Sequence, residues 1–264
     1  MNLHYTESQG SETPLIYLYS TDGNGTDSIA DVLISKEITR IAVTRYEDFD
    51  KHVTSIVSKV TPKDTVILDT LDMLASTIRT DLNLGTDPTE QLWGKRERYF
   101  KDKLGFGLYT GAAQLIMRHL KNLSRGGEGA RIITTMHESE RVDETTSPPT
   151  RKRAPDLNPE LLGSLIGSSS DVFRLAIMDG DIVNDKGEVV LSSGTHILQL
   201  KATDEYMAKF QVPLSKVASI KKMLANPTYP KLCEHLGKVP TWLTIYGPSG
   251  VGKSTFATSM LRTA

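Results

Sequence analysis

The sequence predicts an α/β protein whose central sheet is mostly parallel and covered by helices on both faces. Strand-like apolar segments alternate with amphipathic segments of helical period over residues 14–136. Residues 65–69 (TVILD) are apolar on both faces, as the central strands of parallel sheets are. Residues 172–202 instead break into short strands separated by turns, which predicts a late antiparallel β-meander at one edge of the sheet.

The first half of the chain contains the predicted parallel strands. These strands are expected at residues 14–20, 40–46, 65–69 and 130–136. The helices between them are expected at residues 28–36, 48–59, 92–104 and 109–123. The DGNG sequence after the first strand and the PKD sequence at residues 62–64 predict turns.

The second half is less regular. Residues 141–159 are rich in Thr, Ser, Pro, Arg and Lys and show no periodicity, which predicts a long mobile loop. A short helix is expected at residues 158–168, and short antiparallel strands are expected at residues 172–178, 188–193 and 196–202. Two further helices, at residues 215–224 and ending near Gly237, lead to an apolar strand at residues 241–246.

Composition limits the classes of function. The 264 residues carry a net charge of -1, so a nucleic-acid contact would require a local basic patch. Cys233 is the single cysteine, which fits a reducing compartment, and we expect a cytoplasmic protein. The apolar runs are too short to span a bilayer, so no membrane partner is expected.

Residues 247–254 (GPSGVGKS) match the phosphate-loop pattern G-x-x-x-x-G-K-[ST] in full. In such a loop the backbone N–H groups cradle phosphate oxygens, the lysine reaches the β and γ phosphates, and the serine hydroxyl binds Mg²⁺. A chance match is the alternative, but an apolar strand precedes this loop and helix-forming residues follow it. The predicted nucleotide-binding residues here are Gly247, Pro248, Ser249, Gly250, Val251, Gly252, Lys253, Ser254 and Thr255.

Polar residues at predicted strand ends supply partners for this loop. Asp69 would bind the metal together with Ser254, and Asp72 is a weaker candidate for that role. Asp22 would position or deprotonate the attacking water, and His137 would sense the γ-phosphate. Each has an ordinary alternative, namely a turn cap for Asp69, turn chemistry for Asp22 and a solvated ring for His137.

These residues together resemble the RecA-like ATPases, and most of all the phage-encoded RecA-like ATPases of recombination. The resemblance rests on residues 247–254, the Asp69 strand and the strand end at residues 135–138 (TMHE). It also includes Asp22, where the family has Glu, and the stretch at residues 201–209, which is similar to the family's late strand pair.

The resemblance implies ATP and Mg²⁺ as cofactors, with Asp22, Lys253 and His137 as catalytic residues. It also implies a homo-oligomeric ring or filament in which Lys209 reaches the nucleotide of the neighbouring subunit. Single-stranded DNA is the implied partner, in recombination or strand annealing, together with an annealing or replication protein. Asp22 in place of Glu shortens the reach toward water by one methylene, which favours slow hydrolysis.

The matched elements stand in circularly permuted order. The family begins with the phosphate loop, whereas here the loop comes last. One permuted domain over residues 1–264 would then contain a core at residues 1–210, a connector at residues 211–240 and the phosphate-loop strand and helix at residues 241–264. We expect the strand at residues 241–246 to lie beside the strand that ends at Asp69. A truncated tandem copy, with a remnant domain followed by the start of another, is the alternative.

The long loop at residues 141–159 contains Arg151, Lys152 and Arg153, which lie where the family's second DNA-binding loop would be. Solvated surface charge is the alternative, and the loop has no aromatic residue for base stacking. The first functional hypothesis is a DNA-stimulated ATPase. The second is a nucleotide-dependent switch or loader with little hydrolysis, and a small-molecule kinase would need an acceptor pocket and a lid that the sequence does not reveal.

Overall fold

The structure of the chain, a computed structural model, describes residues 14–21, 38–84, 106–143 and 150–259. The strands within these residues are β1 (Ile16–Ser20), β2 (Ile38–Ala42), β3 (Thr65–Asp69), β4 (Arg131–Asp143), β5 (Thr150–Pro155), β6 (Asp171–Ile177), β7 (Ile182–Val183), β8 (Val189–Leu191), β9 (His196–Gln199), β10 (Met223–Ala225) and β11 (Trp242–Gly247). The α-helices are α1 (Tyr46–Ile56), α2 (Leu71–Leu84), α3 (Phe106–Ser124), α4 (Pro159–Ser168), α5 (Leu214–Val217), α6 (Tyr229–Leu236) and α7 (Lys253–Thr258).

The central sheet has the order β10-β9-β6-β11-β4-β3-β1-β2. All neighbours from β6 to β2 are parallel, and β9 and β10 add an antiparallel edge. This confirms the predicted α/β class with a mostly parallel sheet. Among the described residues, no helix is long and apolar enough to cross a membrane.

Helices cover both faces of the sheet, as predicted. One apolar core lies between the sheet and α1, α2, α3 and α4, and Phe49, Ile78 and Ile116 are fully buried in it. The second core lies under α6 and α7, where Leu232 and Phe256 pack against the opposite face. Strand β3 is buried along its whole length because it lies between these two layers.

Two predicted helices are confirmed together with their local signals. At the start of α4, the side chain of Asn158 accepts a hydrogen bond from the backbone N–H of Leu161, and Pro159 occupies the first turn. Helix α6 ends at Gly237, which adopts the left-handed conformation that glycine tolerates best. Both ends are therefore fixed by residues that are recognisable in the sequence.

The prediction of a long mobile loop at residues 141–159 is wrong for the part of this segment that the structure describes. Strand β4 continues to residue 143, and β5 returns antiparallel to it, with Glu140 opposite Arg153. The side chains of this hairpin are mostly exposed and charged, so no apolar alternation marks it in the sequence. Diagonal pairs of opposite charge, such as Arg151 with Glu140, take the place of apolar contacts.

The region before the last strand also differs from the prediction. The helix expected at residues 215–224 reduces to the single turn α5, and Met223–Ala225 instead forms β10 at the sheet edge. The free edge of β9 offers backbone partners that override the weak helical pattern. Strand β6, expected to be antiparallel, pairs parallel with β11 and antiparallel only with β9, while β7 and β8 form a separate two-stranded sheet.

Helix α2 follows β3 and was not predicted. The helices expected at residues 28–36 and 92–104 lie outside the described residues, and so does Asp22. The helix predicted at residues 48–59 begins two residues earlier, at Tyr46, and the one predicted at residues 109–123 begins at Phe106.

Candidate functional site

The candidate site lies at the carboxyl edge of the parallel strands. Residues 247–254, which we call the glycine-rich loop, begin at the end of β11. Gly247 is in register with His137 of β4, and Ser20 at the end of β1 is in register with Asp69 at the end of β3. Ligand sites of open α/β sheets lie at this edge.

Strand β11 does not lie beside the Asp69 strand, and our expectation that the two strands are neighbours is wrong. Strand β4 lies between β11 and β3 and pairs with both of them. The loop nevertheless reaches Asp69 because α7, which starts at Lys253, packs over β4. The first turn of α7 thus spans the one intervening strand.

Ser254 and Asp69 are in direct contact. The hydroxyl of Ser254 donates a hydrogen bond to Oδ2 of Asp69 at 2.5 Å. The hydroxyl of Thr135, on the intervening strand β4, donates to the other oxygen, Oδ1. The sequence predicted the first pair but not the role of Thr135, although its position two residues before His137 at a strand end was a usable signal.

The surroundings of Asp69 suit a hard divalent cation. Asp69 is 3% exposed, and among the described residues its side-chain oxygens accept from two neutral hydroxyls and form no ion pair. The ammonium of Lys253 interacts with this carboxylate only from a distance, because it bonds to the loop carbonyls instead. A buried carboxylate that no cation contacts directly is costly. Mg²⁺ prefers oxygen ligands and is commonly held by one or two carboxylates plus substrate phosphates and water. The donor set of Asp69 and Ser254 therefore fits Mg²⁺.

The glycine-rich loop depends on glycine at three positions. Gly250 and Gly252 have φ values of 75° and 86°, which side chains with a Cβ adopt only with strain. A Cβ on Gly247 would lie 2.1 Å from the carbonyl oxygen of Leu175 on β6. Successive N–H groups in a turn with residues of positive φ form a concavity that binds anions.

Lys253 is buried and directed back into its own loop. Its ammonium donates hydrogen bonds to the carbonyl oxygens of Gly247, at 3.1 Å, and Pro248, at 2.7 Å. Burial lowers the pKa of Lys253, and the carboxylates of Asp69 and Asp72, with Glu138, oppose this shift. The ammonium therefore lies among the acids at the sheet edge and is already inside the loop that an anion would occupy.

His137 is paired with an acid. Its Nδ1 lies 2.7 Å from Oδ2 of Asp72, and its backbone N–H donates to Oδ1 of the same residue at 3.2 Å. Asp72, our weaker candidate for a metal ligand, therefore contacts His137 through both oxygens. The alternative for His137 was a solvated ring at a strand end. It does not fit this arrangement, because the ring contacts Asp72.

An ion-pair network next to the site was not predicted. The guanidinium of Arg174 on β6 donates to both carboxylate oxygens of Glu138, at 2.6 and 2.9 Å, and to Gln199 at 2.9 Å. Arg174 is 6% exposed, and its pairing spans the end of β11 to join β6 with β4. Breaking such a buried pair is strongly destabilising, so the network fixes the two strands that flank the loop.

The remaining predicted site residues lie apart from this cluster or outside the described residues. The ammonium of Lys209 donates to the carbonyl oxygens of Ile166 and Ser169, at 2.6 and 2.7 Å, at the end of α4. A role toward a neighbouring nucleotide stays a prediction and would require these bonds to be exchanged. Asp22 is not described, but Thr21 before it is fixed to the Asp69–Thr70 backbone by four hydrogen bonds.

The basic residues proposed for nucleic acid lie on β5. Arg151 pairs with Glu140 at 3.0 Å, and Arg153 approaches Glu138 at 3.5 Å. Lys152 is exposed and stands opposite Arg141 in the register of the hairpin. Two of the three cations therefore have carboxylate neighbours that reduce the positive field of this strand.

Comparison with known proteins adds no relative. No family model matches the chain, and neither a curated protein nor a solved structure matches it. The arrangement described above thus stands on the residues of this chain alone: a glycine-rich loop, a buried lysine, a serine–aspartate pair suited to a divalent cation and a histidine–aspartate pair at one sheet edge.

Proposed function

We propose that this chain is a Mg²⁺-dependent ATP-binding and ATP-hydrolysing protein of the RecA-like kind. The observation that carries the proposal is the hydrogen bond from Ser254 to Asp69, which joins residues 185 positions apart. A chance match to the loop pattern gives no reason for its final serine to contact a buried aspartate at the end of a parallel strand. A Mg²⁺–nucleotide site requires these two side chains to lie within reach of one metal ion.

The chain's own residues account for the binding of nucleotide. The N–H groups of the glycine-rich loop would donate hydrogen bonds to the phosphate oxygens, and Lys253 would exchange its bonds to the carbonyls of Gly247 and Pro248 for bonds to phosphate oxygens. Ser254 and Asp69 would hold Mg²⁺, which supplies neutralisation of the phosphate charge when it is bound. Asp22, the residue after Thr21 in the sequence, would position the attacking water, and His137 would sense the γ-phosphate.

The permuted order is part of the proposal. A parallel sheet is assembled in space, so a strand at the end of the chain can occupy an interior position, as β11 does between β6 and β4. The connector at residues 211–240 carries α6, which packs on the same face as α7. Docking of the loop within one chain supports a single permuted domain at residues 1–264 over a truncated tandem copy.

Single-stranded DNA in recombination or annealing is the proposed context, with a homo-oligomeric ring or filament as the working form. The support for DNA is the exposed strand β5, where Arg151, Lys152 and Arg153 follow one another at the tip of a hairpin that continues from β4. Strand β4 also carries His137, so a ligand on the hairpin would be joined to the candidate site by one continuous strand.

A nucleotide-dependent switch or loader with little hydrolysis is the second candidate. The observation that favours it is Asp22, which is shorter than the Glu of the family that the chain resembles. Tight Mg²⁺–ATP binding with slow turnover that DNA does not change would support this candidate over the first.

The test is steady-state ATP hydrolysis with and without single-stranded DNA, beside direct binding of Mg²⁺–ATP. We expect Mg²⁺-dependent hydrolysis that DNA stimulates and that Lys253→Ala abolishes. Lys231→Ala is the matched control, because Lys231 is an exposed lysine on α6 and lies outside the glycine-rich loop. Failure of the wild-type chain to bind ATP, or wild-type binding by Lys253→Ala, would overturn the proposal.

A further inference from the structure

The contact between Asp72 and His137 has the form of a proton-transfer pair. Asp72 lies in the first turn of α2, and His137 lies in β4 at the edge of the sheet. One carboxylate oxygen accepts the backbone N–H of His137 at 3.2 Å, and the other lies 2.7 Å from Nδ1 of its ring. Two contacts from one carboxylate fix both the position and the orientation of the imidazole.

This geometry assigns the tautomer of the ring. An ionised carboxylate only accepts hydrogen bonds, so the proton of the neutral imidazole resides on Nδ1. The lone pair is then left on Nε2, the nitrogen that does not face Asp72. The side chain of His137 is 29% exposed and that of Asp72 is 10% exposed, so the ring retains access to solvent while its partner is largely enclosed.

The position of the pair relates it to the loop. His137 is in register with Gly247, the first residue of the glycine-rich loop, on the neighbouring strand. Asp72 is near enough to Lys253 to act on the charge of its ammonium. The pair therefore lies at the same sheet edge as the groups that would surround the phosphates.

We propose that His137 is the proton acceptor for the attacking water and that Asp72 is its positioning residue. This inference rests on the proposed ATPase function. The water oxygen forms the new bond to the γ-phosphorus as the bond from that phosphorus to the β–γ bridging oxygen breaks, and that oxygen leaves on ADP. One proton of the water passes to Nε2 of His137, which later releases it to solvent, and Asp72 stabilises the imidazolium that forms.

A purely structural role for Asp72 is the competing explanation, because it also joins α2 to β4. Stability alone does not separate the two, since loss of the carboxylate would weaken that contact in either case. Turnover measured beside nucleotide affinity does separate them. A purely structural contact leaves the kcat of a folded variant unchanged, whereas loss of a positioning residue lowers kcat and leaves nucleotide affinity intact.

The test compares Asp72→Asn, His137→Gln, the double variant and Asp72→Glu with the wild-type chain. The matched control is Asp50→Asn, because Asp50 also pairs with a histidine, His119, at 2.9 Å, but away from the sheet edge. For each protein, kcat and KM are measured from pH 5.5 to 9, and nucleotide affinity is measured with a non-hydrolysable ATP analogue. Near-ultraviolet circular dichroism establishes that each variant is folded.

We expect Asp72→Asn and His137→Gln each to lower kcat about 100-fold, the lower end of the usual general-base contribution, with nucleotide affinity changed less than about twofold. The double variant should be no slower than the slower single variant, because the two residues act as one unit. Asp72→Glu should recover part of the rate, and Asp50→Asn should match the wild type.

Wild-type kcat in either folded single variant, with nucleotide binding intact, would overturn this inference and leave the proposed function standing. Multiplicative losses in the double variant would also overturn it. Absence of ATP binding by the wild-type chain would overturn the proposed function and this inference together. If Asp72→Asn does not fold, His137→Gln alone decides the question. This variant loses the ring but keeps the hydrogen bond from the backbone N–H of residue 137 to Asp72.

Discussion

Ser254 donates a hydrogen bond to the buried carboxylate of Asp69 across an intervening strand. The strand that leads into the Ser254 loop enters the sheet between β6 and β4 although it comes last in the chain. One chain therefore brings together a phosphate-loop pattern and the strand-end acid that such a pattern requires, without help from a second copy.

This placement within one chain predicts the result of a mixing experiment. Lys253→Ala removes the loop lysine, and Asp69→Asn removes the acid, so each variant should be inactive alone. A mixture of the two should also be inactive, because every chain in it lacks one part of its own site. Recovery of ATP hydrolysis on mixing would instead mean that the loop of one chain completes the site of another, as in a docked tandem remnant.

Gly247 predicts a steric effect on stability. Gly247→Ala would place a Cβ 2.1 Å from the carbonyl oxygen of Leu175, so we expect a loss of about 2 kcal/mol or more in the free energy of unfolding. Gly163→Ala is the control, since Gly163 lies in α4 with open space around it, and there alanine should stabilise by up to about 1 kcal/mol. Urea unfolding of both variants measures the contrast, and equal stability of Gly247→Ala and the wild type would contradict the packing described.

The β5 hairpin predicts salt-dependent binding of single-stranded DNA. Replacing Arg151, Lys152 and Arg153 together by alanine should weaken binding and reduce the slope of log affinity against log salt by up to about 2. Glu140→Gln should strengthen binding, because it frees Arg151 from its ion pair. Lys221→Ala with Lys222→Ala is a control on another exposed surface, and an unchanged slope in the triple variant would remove β5 from the DNA interface.

Two histidines predict acid sensitivity, the half-buried His52 and the buried His119. His52 bonds to the hydroxyl of Tyr19 at 2.7 Å, and burial lowers its pKa. Burial also lowers the pKa of His119, and it outweighs the opposing effect of Asp50. The unfolded state therefore binds protons first as the pH falls below about 6.5, so stability that is present above that pH is lost below it.

Urea unfolding at pH 7.5, 6.5 and 5.5 measures this loss. Each histidine should contribute at most about 1.4 kcal/mol per pH unit in this window, less for His52, which is partly exposed. His119→Gln and His52→Gln should each flatten the dependence, whereas His196→Gln, at an exposed position on β9, should leave it unchanged. A wild-type chain equally stable at pH 7.5 and 5.5 would contradict the buried, neutral state of the two rings.

Where the sequence was informative, burial was the reason. Strands β3 and β11 are buried along their whole length because helices cover both of their faces, and their sequences are accordingly mostly apolar. The loop pattern predicted Lys253 and Ser254, and the strand-end rule predicted Asp69. Their contact followed from the fact that parallel strands end at a common edge.

Where the sequence was uninformative, the deciding partner was distant or polar. The β4–β5 hairpin is held by charge pairs that leave no apolar period, so it reads as a loop. Strand β10 exists because β9 offers a free edge. Thr135, Asp72 and Arg174 take their roles from contacts across strands and helices, and no local pattern states which polar side chain will face which.

The most direct test of the central claim is a double-mutant cycle on Mg²⁺–nucleotide affinity. Calorimetric titration with a non-hydrolysable ATP analogue would compare the wild type, Ser254→Ala, Asp69→Asn and the double variant. If both side chains hold one Mg²⁺, each single variant should lose about tenfold or more in affinity, and the double variant should lose little beyond the weaker single variant. Affinity that Mg²⁺ does not affect, or losses that multiply in the double variant, would contradict a shared site.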